Sequence, residues 1–322
     1  PTFAKGIVIA HDDLYVQPSG HPRLKVADFT GDGLLDFVVD RAWELTDLNQ
    51  PQKRDYGALF KNVGTKTSPR WARTDAYHGA PFTEEFQICD AIRQNVVRAV
   101  DWNNDGRTDL IAGDCDGFVW CFQNRTNNLA PVFAAGMKLK AGENILSLAK
   151  SVGHARPDIC DWNNDGRKDI VASDGAGTVT VYLNEGTDAE PVLGPGRKVK
   201  AVNAQGALEP IDRGTRSHIM VCDWNNDGKK DIVFSDQDNP GFYFFNNIGS
   251  DADPCFAQPK NIGVSAYRRP NLGSFVDWDG DGKKDFIACE FEHTIRFYKN
   301  VGSGKPGSEP KFADPDGIPI VR

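Results

Sequence analysis

The pattern Asp-x-x-x-Asp-Gly-x-x-Asp occurs five times in this chain, starting at Asp28, Asp101, Asp161, Asp223 and Asp277. The intervals are 73, 60, 62 and 54 residues. Self-similarity at such a period constrains the fold first, because each unit must bury its apolar face against its neighbours. The same order of residues returns around every copy. One apolar run precedes the loop, as in Leu24 to Ala27 or His218 to Cys222, and a second follows, starting at Phe37, Leu110, Ile170, Ile232 and Phe286. After a turn comes an alternating run ending aromatic-x-Asn, at Asn62, Asn124, Asn184, Asn247 and Asn300. A polar turn then leads to Pro69, Pro131, Pro191, Pro254 or Pro310 and a fourth apolar run.

Four short strands per unit, with no 3.6-residue apolar period, predict an all-β chain of four-stranded antiparallel units. Repeated around an axis, such units make a β-propeller, with the first strand innermost and the fourth outermost. The chain reads as one propeller domain, 1–322, divided near 1–68, 69–130, 131–190, 191–253 and 254–322. Pro1-Thr-Phe-Ala matches Pro310-Lys-Phe-Ala. A fourth-strand sequence thus stands at both ends, and the five blades form either a closed ring or part of a larger propeller.

The loop also has a chemistry. Oxygen side chains stand at positions 1, 3, 5 and 9, with glycine at 6, and the position 7 carbonyl can add a ligand. An all-oxygen cage without sulfur or imidazole suits calcium. The expected ligands are Asp28, Thr30, Asp32 and Asp36; Asp101, Asn103, Asp105 and Asp109; Asp161, Asn163, Asp165 and Asp169; Asp223, Asn225, Asp227 and Asp231; and Asp277, Asp279, Asp281 and Asp285. Without a cation, the carboxylates within one loop would repel one another. An EF-hand does not fit, since position 12 is Val39, Ala112, Ala172, Phe234 or Ala288 rather than glutamate.

The formal charge of -8 includes 16 loop aspartates. Five calcium ions would reverse it, so the acidity says little about partners. No lysine or arginine run or stacking stripe suggests nucleic acid, and no segment is long and apolar enough to span a membrane. Calcium sites of this kind fill best outside the cell, so secretion is expected. The chain starts at Pro1 without a leader and reads as a processed form or a fragment. Asn124 heads a glycosylation sequon. Of seven cysteines, Cys160 and Cys222 hold one repeat position as small core residues, while Cys115 and Cys121 flank a predicted hairpin and are candidates to pair.

With its loop set between apolar strands, the chain resembles the FG-GAP/VCBS repeat of integrin α-subunit propellers, some fungal lectins and many secreted bacterial proteins. The resemblance covers nearly the whole chain and implies a calcium-loop propeller. It is loose for activity. Thr30 at position 3 departs from it, as does the count of five motifs where seven blades are common.

Function is expected on the face opposite the loops, where each fourth strand crosses to the next first strand. Seven and five residues before the loop stand His21 and Arg23, His154 and Arg156, Arg216 and His218; Arg93 lies nearby in blade two, and Tyr267, Arg268 and Arg269 in blade five. Two-residue spacing puts both side chains on one face of the strand. The expectation is a basic funnel that binds carboxylate or sulfate of an acidic glycan, with Tyr267, Tyr77 and Trp43 as aromatic platforms. In a second reading these arginines pair with acids of neighbouring blades, such as Asp158, Asp212 or Asp90, and hold the blades together. The enzymatic alternative is a polysaccharide lyase, with arginine neutralising a uronate and His154, His218 or Tyr267 as acid and base. A protein-interaction propeller is the third reading. The longest insertion, Arg41 to Asp55, reads as a lid or partner loop.

Overall fold

The computed structural model describes residues 17–43, 58–66, 70–74, 96–148, 153–262, 273–290 and 294–310, apart from 29, 115, 129, 130, 216, 236, 237, 239, 240, 279 and 309. Blade one has β1 (Gln17–Ala27), β2 (Asp36–Trp43), β3 (Ala58–Asn62) and β4 (Trp71–Thr74). Blade two has β5 (Val96–Val100), β6 (Asp109–Gly113), β7 (Val119–Phe122) and β8 (Met137–Lys138), followed by a hairpin of β9 (Lys140–Ala141) and β10 (Asn144–Ile145). Blade three has β11 (Arg156–Cys160), β12 (Asp169–Ser173), β13 (Val179–Tyr182) and β14 (Arg197–Lys198), then a hairpin of β15 (Lys200–Val202) and β16 (Leu208–Pro210). Blade four has β17 (His218–Cys222), β18 (Asp231–Ser235), β19 (Phe242–Phe245) and β20 (Lys260–Asn261). In blade five, β21 (Gly273–Val276), β22 (Asp285–Glu290) and β23 (Thr294–Tyr298) are described. Each sheet is antiparallel with its strands in chain order. The fold is a β-propeller.

Second strands show why these sequences form blades. Every residue of β6, β12 and β18 is buried. Each lies between two strands of its own sheet and two neighbouring blades, so it reads as a continuous β-branched and aliphatic run rather than an alternating one. The core is therefore a set of seams. Trp102, Ile111 and Val119 of blade two pack with Ile170, Tyr182 and Leu193 of blade three. Trp162 and Val181 meet Ile219, Phe234 and Phe256 of blade four. Trp224, Phe242 and Phe244 meet Phe286 and Tyr298 of blade five. The inner strands β5, β11 and β17 follow one another around an axis, and β1 touches both β5 and β21. Blade one thus lies between blades two and five.

Three expectations change. The fourth strand belongs to the sheet before it, as β4 does to blade one, so a division at residue 68 cuts through a blade. It is also broken: Phe133 makes a single bridge to Asn124, and regular pairing resumes only at β8. Between them, Gly136 lies against Phe122, where a Cβ would stand 2.4 Å from the ring. Finally, Cys121 is a free, buried thiol, and burial pushes its pKa up to about 12. Cys115 lies outside the described residues, as do both terminal strand sequences and residues 44–57 of the insertion.

The two hairpins were not foreseen. Each clips onto the fourth-strand segment of the next blade: the Gly142 amide donates to the Leu193 carbonyl at 2.7 Å, and the Val202 amide to the Phe256 carbonyl at 2.8 Å.

Candidate functional site

The loops fold on their own hydrogen bonds. The first aspartate turns its carboxylate inward, so that Asp101 accepts from the amides of Asp105 and Gly106 at 3.0 and 2.9 Å; Asp161 and Asp223 repeat this. Asp28 and Asp277 accept from Gly33 and Gly282. At position 3 the amide nitrogens of Asn103, Asn163 and Asn225 donate to the carboxylates of Asp105, Asp165 and Asp227. The position 9 aspartates Asp36, Asp109, Asp169, Asp231 and Asp285 are fully buried. One oxygen of each accepts the amide of Asn62, Asn124, Asn184, Asn247 or Asn300 at 2.7–2.8 Å. The other accepts a loop amide, from Trp102, Trp162, Trp224 or Trp278, or from the buried Thr30 in loop one. This staple joins the loop to the end of strand three in every blade. Burial pushes Asp231 up to about 7, the Asn247 and Trp224 amides pull it back, and the Asp227 and Asp223 charges add to the rise.

Several loops carry a cation of their own. Arg107 pairs with Asp105, Arg167 with Asp165 at 2.5 Å, Lys283 with Asp281 at 3.1 Å and Lys61 with Asp32 at 3.1 Å. In loop four the corresponding Lys229 turns to the Asn247 carbonyl, and among the described residues Asp227 has no ion pair. Among those residues no group of three Asp, Glu, His or Cys side chains is gathered as a metal cluster. Asp279 lies outside them.

Position 4 of the loop latches blade to blade. Asn104, Asn164 and Asn226 take positive φ of 55°, 59° and 57°, which asparagine tolerates. Lys168 of blade three reaches back to Asn104 at 2.6 Å while holding Asp188 at 2.8 Å. Lys230 of blade four does the same with Asn164 and Asp251, and Asn164 itself donates to Asp251 at 2.8 Å. Burial raises the Asp188 and Asp251 carboxyls, but the amide and ammonium of Lys168 or Lys230 outweigh it and hold both below the usual range. Their contribution is thus complete above about pH 4 and lost as pH falls through the lowered folded value. Asp251→Ala is expected to destabilise by about 1–3 kcal/mol at pH 7. The deficit should shrink in urea melts at pH 3, and an equal deficit at both pH values would contradict this role.

The funnel residues divide. Arg156 is only 2% exposed and donates to the Ser217 carbonyl of blade four at 3.0 Å. His218 is buried opposite Ser235 in its own sheet. Neither stands at an open mouth. Arg23 lies in β1 opposite Asp40, and His21 falls where the β1 register shifts. Arg93, Arg216, Tyr267, Arg268, Arg269, Tyr77 and Asp90 lie outside the described residues. The central arginine is one the spacing did not single out. Arg98 of blade two donates to Asp158 of blade three at 2.6 Å and to the Ile219 carbonyl of blade four at 3.1 Å. Asp158 in turn accepts the Val221 amide at 2.7 Å. Arg98 and Asp158 occupy the same repeat position, three residues before the loop, with opposite charges. That was the available signal.

Nearer the rim, His154 is half-buried with φ of 60°. The segments carrying it and Arg213 both bind the turn after β12: the Gly175 amide donates to the Gly153 carbonyl at 2.6 Å, and the Arg213 amide to the Gly177 carbonyl at 3.4 Å. The Arg213 guanidinium rests on the Tyr243 ring, 4.1 Å from its centre.

A family model described as the FG-GAP-like repeat matches residues 161–234 and again 223–288, each match starting at a first loop aspartate. These are FG-GAP repeats. No curated protein sequence matches the chain. Solved structures similar to this propeller include the Photorhabdus luminescens Tc holotoxin pore, at 17% identity and a TM-score of 0.38, over 93% of this chain and 13% of that one. An engineered GH43 glycoside hydrolase with endo-xylanase and exo-arabinofuranosidase activity shares 11% identity at a TM-score of 0.47, over 97% and 54%. The Pseudomonas aeruginosa periplasmic gluconolactonase PpgL shares 11% at 0.36, over 96% and 88%. The chain spans about half or less of the first two structures, and at these scores none of the three bears on what the FG-GAP blades bind. No helix long and apolar enough to cross a membrane occurs among the described residues.

Proposed function

We propose that the protein is a secreted, calcium-binding recognition propeller that holds an acidic glycan on its funnel-side rim through His154 and Arg213. The observation carrying this reading is the backbone of His154. Among the described residues other than glycine, positive φ is found only at three loop asparagines and at His154. A histidine held there costs about 1–2 kcal/mol that glycine would avoid. Such strain on a loop of a rigid scaffold points to a use for the side chain. Arg213, whose segment binds the same turn, rests on Tyr243 and offers a planar cation on a flat ring, which suits a uronate or sulfate on a sugar. The deeper Arg98 and Arg156 already bond neighbouring blades.

The test is calorimetric titration with uronate-containing and sulfated oligosaccharides. Binding should weaken at least tenfold in His154→Ala and in Arg213→Ala, and unchanged affinity in both would overturn the reading. An unsaturated uronate product, seen by ultraviolet absorbance, would make the protein a lyase with His154 as its base. A further expectation separates stability from use: His154→Gly should stabilise the fold by about 1 kcal/mol while losing the ligand. A His154→Gly variant that melts lower would remove the strain argument.

Calcium belongs to the same proposal. Loop four, where no described cation meets Asp227, should take the ion first, through Asp223, Asp227 and the Asn225 side chain. Loops two and three must first release Arg107 or Arg167. A filled site at a hundredfold excess over its dissociation constant adds about 2.7 kcal/mol. Excess chelator is therefore expected to lower the melting temperature, and an identical melt with and without chelator would remove calcium from the account.

A further inference from the structure

The seam between blades five and one lacks the latch that joins blades two, three and four. Where Asn104 or Asn164 stands at loop position 4, loop five has Gly280. Where Lys168 or Lys230 stands at position 8, loop one has Leu35, and where Asp188 or Asp251 receives that lysine, blade one has Lys66. All three latch residues are replaced here, as they also are between blades one and two, where Gly31, Thr108 and Asn128 stand. In their place lies a cavity of about 300 Å³, walled by Leu35, Val276 and Trp278, with Lys66, Asp277 and Gly280 around it. Trp102, Trp162 and Trp224, the sister tryptophans, are buried, whereas Trp278 is only partly so.

We infer that this seam is a binding site for a small, mostly apolar molecule bearing one anionic group, such as an aromatic or short-chain carboxylate or sulfonate. The volume lies within the range of small-ligand pockets, and such pockets pair apolar walls with few polar groups. The indole and the two aliphatic side chains supply the walls. Lys66 is exposed and lines the cavity, so its ammonium is the group that would meet the anion. Asp277 turns its two oxygens to the Gly280 and Gly282 amides at 2.8 and 2.9 Å. Nothing in this inference depends on the funnel reading, which concerns the opposite face and blades two to four.

The probe is 8-anilinonaphthalene-1-sulfonate, titrated into the native protein with calcium present. One saturable site is expected, and lack of saturable binding overturns the inference. Rebuilding the latch with Gly280→Asn, Leu35→Lys and Lys66→Asp should weaken binding at least tenfold and raise the melting temperature. The backbone at Gly280 suits asparagine, since its φ is 76° and nothing lies within 4 Å of an added Cβ. A rebuilt protein that melts higher yet binds the probe as before would place the probe elsewhere and overturn the site. Lys66→Glu alone changes an exposed residue and serves if the triple variant does not fold. It should weaken the sulfonate at least tenfold and leave uncharged N-phenyl-1-naphthylamine unaffected, whereas equal effects on both probes would overturn the role of the anion.

Discussion

Arg98→Met is expected to destabilise the propeller by about 3–5 kcal/mol, because it leaves a charge without its partner between blades. Arg98 bonds to Asp158 at 2.6 Å and to the Ile219 carbonyl at 3.1 Å, tying blades two, three and four through one guanidinium. The Asp158 side chain is 16% exposed, and the Val221 amide at 2.7 Å is its other partner. Without Arg98 that carboxylate keeps one hydrogen bond and loses its counter-charge. Arg98→Met with Asp158→Leu should recover much of the loss, since replacing a whole buried pair by apolar groups is often neutral. Urea melts of the two single variants and the double variant give the coupling directly. A single variant within 1 kcal/mol of the parent would mean that the blades are held by their apolar seams alone.

The second large effect concerns the staple. Asp169→Ala removes the acceptor of two buried amides, Trp162 at 2.8 Å and Asn184 at 2.7 Å. Each orphaned group costs about 1–3 kcal/mol, so the loss should reach roughly 2–6 kcal/mol. Asp169→Asn keeps one acceptor oxygen and should lose about half as much. The effect should persist in excess chelator, because the aspartate acts on the backbone. If chelator made parent and Asp169→Ala melt alike, the carboxylate would matter only through a metal.

The blades were legible in the sequence because the loop returns at a fixed period and drags the same strand pattern with it. The loop aspartates were legible as well, but only as possible ligands. That Asp169 reaches the amide of Asn184 is a tertiary fact joining two motifs that each stood out alone. Repulsion among the loop carboxylates is relieved in loops two and three from within, by Arg107 and Arg167, two residues beyond the central aspartate. At the funnel, two-residue spacing presumed an unbroken strand, whereas His154 precedes β11 with a positive φ and His21 falls at a register shift. It placed Arg156 and His218 on strand positions that turn out to be buried, with Arg156 bonded into the seam with blade four. Reading opposite charges at one repeat position, as in Arg98 and Asp158, would have revealed the tie.

The hairpins between blades have a consequence for biosynthesis. The β9–β10 hairpin leaves the ribosome before Leu193, the residue it clips onto, and β15–β16 before Phe256. For about fifty residues of synthesis each hairpin has no place to dock, since domains emerge from their N-terminal end first. Blades two and three are therefore each completed by the one made after it. The exposed backbone edge travels along the nascent chain, so a pause in translation between Asn144 and Leu193 would leave blade two's clasp open to wrong partners.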